Sequence, residues 1–145
     1  MICWRGSVLK GLTEATKKSL DEELFEYHTI AKEIALRKLE LDTMKEQDDN
    51  IGGSRSGHIS KIPEERVIAY SEDKRIQYLE RLKRDVDQFK KILSEEQQKI
   101  FELRWSGTDT NTWEEIAVKI HCSEKSTYRK REKMLEVYAR VKGKL

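Results

Sequence analysis

The sequence predicts an all-α protein, a long helical N-terminal arm followed by a C-terminal helix-turn-helix domain. Three observations carry this. The 145 residues include one Pro and 7 Gly, with Glu, Lys, Leu, Arg and Ile in abundance, a composition that favours helix over sheet. Apolar residues recur at spacings of three and four, which places them on one helical face. Three Ser or Thr residues stand where helices need their first exposed amides capped.

The first helix is expected over about Thr13–Lys45, with Leu20, Leu24, Tyr27, Ile30 or Ala31, Ile34 and Leu41 on one stripe. No Gly or Pro interrupts residues 12–50. Residues 48–63, DDNIGGSRSGHISKIP, hold three Gly, three Ser and the single Pro, and read as a linker. GGSRSG lacks the spacing of a phosphate-binding loop and follows no strand. A second long helix is expected over about Glu64–Ile92, with Val67, Tyr70, Leu79, Leu82, Val86 and Phe89 inward and Pro63 just before its start. Such stripes need covering, so residues 1–92 read as an arm that packs on itself or on a second copy.

The last third is more specific. Ser94-Glu95-Glu96-Gln97 fits a capping box, in which the Ser hydroxyl and the Gln amide satisfy amides reciprocally. The helix that follows carries Ile100, Phe101 and Leu103 to about Trp105, and SGTDTN forms a turn. Thr112-Trp113-Glu114-Glu115 is a second capping box, opening a short helix with Ile116, Ala117 and Ile120 inward. After a tight break at His121-Cys122, Ser123 caps a third helix, Glu124 to about Val141.

Charge follows the same division. Residues 1–49 hold 8 Lys/Arg against 11 Asp/Glu, net −3, whereas residues 119–145 hold 9 Lys/Arg against 3 Glu, net +6. A basic end on a chain of net charge +2 suits an anionic partner. A short capped helix, a small residue (Ala117) where a second helix approaches, an apolar plug (Cys122) and a newly capped basic helix make up helix-turn-helix grammar. Residues 93–145 therefore read as a binder of double-stranded DNA. The alternative is a small helical bundle with a solvated basic face, which leaves the three caps and the placement of the charge unexplained.

The stretch from Leu93 to Ala139 resembles region 4 of bacterial sigma factors. Over residues 17–143 the chain also resembles the RinA/ArpU family of phage and prophage transcriptional regulators. That wider resemblance rests on Glu22-Glu23-Leu24 with Tyr27, on Asn50-Ile51-Gly52-Gly53-Ser54, and on the TWEEIA…S…Y segment. It implies a cytoplasmic activator of phage late or packaging genes that binds promoter-proximal DNA and presents a second surface to RNA polymerase. It implies DNA-reading positions at Glu124, Lys125, Ser126, Tyr128 and Arg129, with Lys133 toward the backbone. Glu124 either accepts from a cytosine amino group or caps the helix. Tyr128 either contacts DNA or packs on the core. Arg131 faces phosphate or solvent. Two positions depart from the pattern. His121 stands at the position of the usual turn Gly; if that residue has a positive φ, His is among the better-tolerated substitutes, though still costly. Lys130 replaces an aliphatic residue, its stem covering the core edge while its ammonium reaches water.

Other functions find no support in the sequence. The longest apolar run is far short of the ~20 residues of a membrane span, and MICWRGSVLKGLTEATKK has no apolar segment of a secretory signal. Cys3 and Cys122 have no CxxC spacing, and His28, His58 and His121 have no ligand spacing. No nucleophile context is present, so neither enzyme nor cofactor is expected. Trp105 and Trp113 read as core. The rival reading is a phage small terminase subunit, which also joins a helix-turn-helix to oligomerising helices but usually in the opposite order. A sigma-like factor would need a −10 reader that residues 1–92 lack.

Overall fold

The computed structural model describes residues 11–51, 62–107 and 110–145. It is all-helical, with no strand among the described residues. Helix α1 (Glu14–Glu26) is followed by a 3₁₀ turn (Tyr27–Thr29) and α2 (Ile30–Ile51); then come α3 (Ile62–Glu72), α4 (Lys74–Ile92), α5 (Glu95–Trp105), α6 (Trp113–Lys119) and α7 (Glu124–Val141).

Each of the two helices expected in the arm is broken once. The first is interrupted by the 3₁₀ turn at Tyr27–Thr29. The second divides at Asp73, whose carboxylate accepts from the Ile76 amide at 3.0 Å and whose carbonyl accepts from Gln77. That is the work of an N-cap, so the residue restarts a helix. The break resets the phase of the apolar stripe. Ile76, Leu79, Leu82, Val86 and Phe89 are buried, but Val67, expected with them, is 64% exposed. The linker expected over 48–63 is shorter at both ends. Residues 48–51 continue α2, and Pro63 lies in the first turn of α3, which begins at Ile62. Its remaining residues, 52–61, fall outside the described residues.

Two compact units result, and the boundary between them is not the expected one at 92/93. One unit joins residues 11–28 to Arg84–Leu145; the other is Thr29–Lys83. In the second unit α2 and α3 pair through polar groups. The Tyr70 hydroxyl donates to Asp42 at 2.6 Å, Lys45 pairs with Glu65, and Arg37 grips both Asp73 oxygens. Leu36, Leu39, Val67 and Ile68 of these two helices are left exposed.

The first unit is built on aromatic side chains. Phe89, Phe101, Trp105 and Tyr138 are buried, with Phe89 edge-on to Phe101 at 6.3 Å and 5.2 Å from Tyr138. α1 packs against α7, burying Leu20 and Leu24. Its acidic residues reach the same unit: Asp21 accepts from the Trp105 indole at 3.1 Å, and Glu23 takes Lys142 and the Tyr138 hydroxyl. The acidic first helix is thus part of the C-terminal unit.

Candidate nucleic-acid interface

All three caps read from the sequence are present. Ser94 and Thr112 each form the reciprocal capping box, with Gln97 and Glu115 respectively, and the Ser123 hydroxyl accepts from the Ser126 amide at 3.1 Å. The segment before α6 is tied down by Asn111, which is buried. Its side chain donates to the Leu103 carbonyl at 2.8 Å and accepts from Lys119 at 2.7 Å.

The turn between α6 and α7 follows from one residue. His121 has φ 58°, the left-handed conformation that favours Gly. The His121 amide donates to the Val118 carbonyl at 3.2 Å and the Cys122 amide to the Ala117 carbonyl at 3.0 Å. Those two bonds are the Schellman ending of a helix, which needs a left-handed residue at that point. Cys122 is half-buried rather than fully enclosed. Two residues later Ser123 opens α7, so α6 and α7 cross and pack. Ala117 and Ile116 are buried between neighbours, while Thr127, Met134, Leu135, Tyr138 and Ala139 form the inward face of α7.

The other face of α7 carries the sequence-predicted site. Glu124, Lys125, Tyr128, Arg129 and Lys133 are exposed, and Ser126 is half-buried at the first turn. Lys125, Arg129 and Lys133 are four residues apart, so they form one stripe with a cation about every 6 Å. None of the three has an ion-pair or hydrogen-bond partner among the described residues.

Of the other basic residues of α7, Lys130 and Arg131 meet neighbouring side chains, whereas Arg140 near its end is exposed. Lys130 is half-buried, and its ammonium, expected to reach water, pairs with Glu96. Arg131 is neither solvated nor fully outward: it is half-buried, with its guanidinium 5.8 Å from the Trp113 ring centre. Trp113 is itself buried and edge-on to Trp105 at 5.7 Å, so both tryptophans are core. Tyr128 does not pack on the core, the second of the two alternatives read from the sequence. Its ring is exposed, and its hydroxyl donates to Glu114 in the first turn of α6 at 2.8 Å. Glu114 is the residue that sequence reasoning missed as part of this surface, because its acid pair with Glu115 read as capping or solvated charge.

A cavity of about 560 Å³ beside Phe101 is lined chiefly by Lys and Glu side chains, with no Ser, Cys or His. Among the described residues no group of three or more His, Cys, Asp or Glu is placed to hold a metal ion, and no helix is long and apolar enough to cross a membrane.

Residues 17–140 match the model of a family described as a protein of unknown function, DUF722. The match runs from the second turn of α1 to the last turn of α7 and so takes in both compact units. No curated protein and no solved structure matches the chain.

Proposed function

We propose that this chain, which belongs to the DUF722 family, is a sequence-specific binder of duplex DNA that regulates transcription of phage or prophage genes. α6 and α7 act as the helix-turn-helix, and α7 enters the major groove. The observation that carries this reading is the stripe of Lys125, Arg129 and Lys133: three exposed cations on successive turns, with no partner among the described residues, while Lys130, Arg131 and Lys142 are engaged elsewhere. Uncompensated Lys and Arg at this spacing match the phosphates and guanine edges that flank a reading helix.

In this reading Lys125 and Arg129 reach base edges from the first two turns of α7, and Lys133 meets the backbone as the helix leaves the groove. Glu124 lies in the first turn, where a carboxylate suits the positive end of the helix. Self-association is part of the proposal. Leu36, Leu39, Val67 and Ile68 leave an apolar surface on the Thr29–Lys83 unit, and a second copy would double the DNA contact. Contact with RNA polymerase belongs to the activator form of the reading.

The test is footprinting across the genome that encodes the chain, run beside in vitro transcription. A protected promoter-proximal site with increased transcript is the expected result. A protected site without increased transcript favours a small terminase subunit or a repressor. Absence of any protected site removes the reading.

A further inference from the structure

Tyr128 stands between Lys125 and Arg129 in sequence and is 39% exposed, yet its hydroxyl is already engaged with Glu114 Oε1 at 2.8 Å. A phenol has one proton and two lone pairs. An ionised carboxylate only accepts, so in this bond the proton belongs to Tyr128. The pairing is mutual. The Tyr128 hydroxyl, ahead of the helix amide end, holds the Glu114 carboxyl below the usual carboxylate range, and Glu114 holds the phenol above the usual tyrosine range. Near neutral pH the carboxylate is therefore charged, the phenol is protonated and the direction of the bond is set. What Tyr128 can still offer outward is acceptor capacity alone, and donation to a carboxylate polarises that oxygen further.

The bases differ in this respect. In the major groove adenine and cytosine present exocyclic amino donors, whereas guanine and thymine present acceptors at the corresponding edges. Phosphate oxygens only accept, and they are repelled by the Glu114 charge. We propose that Glu114 is a positioning residue that makes Tyr128 a pure hydrogen-bond acceptor, so that Tyr128 selects adenine or cytosine at one position of the DNA site. This rests on the reading of α7 as a DNA-reading helix. Tyr128 is then a specificity residue and not a phosphate clamp, and a residue of α6 acts on base choice without touching DNA.

The experiment is selection of bound duplexes from a random-sequence pool by the full-length chain, comparing wild type with Tyr128→Phe, Glu114→Ala and Glu114→Gln. Unfolding transitions of the four proteins are compared first, since both side chains lie at the surface. Wild type is expected to enrich adenine or cytosine at one position. Tyr128→Phe should lose that preference by roughly 2–10-fold, the worth of one hydrogen bond. Glu114→Ala releases the phenol proton, so guanine or thymine should be admitted at the same position. Glu114→Gln keeps a carbonyl that accepts the proton and should keep the wild-type preference. If the Phe and Ala variants enrich the wild-type motif unchanged, this proposal is overturned and DNA binding stands. If Glu114→Gln behaves like Glu114→Ala, charge and not proton acceptance is responsible, and the proposal is likewise overturned. If wild type retains no duplex and enriches no motif, the DNA-binding reading fails and takes the proposal with it.

Discussion

At the scale of single residues, His121 shows how much of a turn one position decides. Its φ of 58° lies where a β-branched side chain is a severe outlier and Gly is at no disadvantage. His121→Gly should leave thermal stability unchanged or raise it by roughly 1 kcal/mol, and His121→Val should lower it. Equal melting temperatures for the two variants would contradict the left-handed turn. On the proposed reading of α7, Arg129 reads a base and Lys133 grips the backbone. Arg129→Ala should cost about 1–3 kcal/mol on the preferred duplex and little on scrambled DNA. Lys133→Ala should weaken both by a similar factor and reduce the slope of log K against log salt by about one unit. Salt titrations on cognate and scrambled duplexes distinguish the two, and equal losses for Arg129→Ala would make it a phosphate clamp. The stripe of Lys125, Arg129 and Lys133 was legible in the sequence because its members share one helix. The engagement of Tyr128 by Glu114 and of Arg131 by Trp113 was not, because those partners lie on another helix.

At the scale of elements, the caps of α5, α6 and α7 were legible because a cap is a local bond between residues three apart. The break at Asp73 was not. Asp is tolerated inside a helix, and its capping role here is reinforced by Arg37, 36 residues away, at 2.7 Å. The Arg37 guanidinium, followed by the Ile76 amide, holds the Asp73 carboxyl below its ordinary value of 3.8. A depressed folded-state value means stability present above pH 3.8 and lost as pH falls through the lower folded value. Asp73→Asn should therefore melt below wild type near neutral pH, and the gap should close as the pH is taken below 3.8. A gap that persists unchanged in acid would show that geometry, and not the charge, is what Asp73 supplies. Melting curves of both proteins from pH 7 to pH 2 make the comparison.

At the scale of the molecule, the compact unit carrying the proposed interface begins well before residue 93. α1 contributes Leu20 and Leu24 to it, both fully buried, and α4 contributes Phe89. A fragment of residues 93–145 lacks all three and should fail to unfold cooperatively. In the full chain Leu24→Ala should cost about 2–5 kcal/mol, the usual loss for a buried leucine, and lower DNA affinity only through the fraction unfolded. A fragment with a sharp transition and full affinity would show that α1 is dispensable. The proposed self-association is assigned to the other unit. Light scattering of the full-length chain at micromolar concentration should give more than one copy, and Leu39→Glu should shift it toward the monomer.

The sequence by itself determined the helical class, the three capped helices of the C-terminal third, the strained turn at His121 and the basic stripe of α7. Each of these is set by bonds or spacings within a few residues, where propensity, capping and periodicity act. Only the tertiary structure decided that the acidic first helix belongs to the C-terminal unit, that Asp73 divides a long helix, and that Tyr128 donates to Glu114. The physical reason is that these depend on which groups of different helices meet, 14 residues apart for Glu114 and Tyr128 and 36 for Arg37 and Asp73. Burial of Leu20 and Leu24 against α7, the Arg37 guanidinium at Asp73 and the crossing of α6 over α7 are contacts between faces, and a face has no partner until the chain has folded.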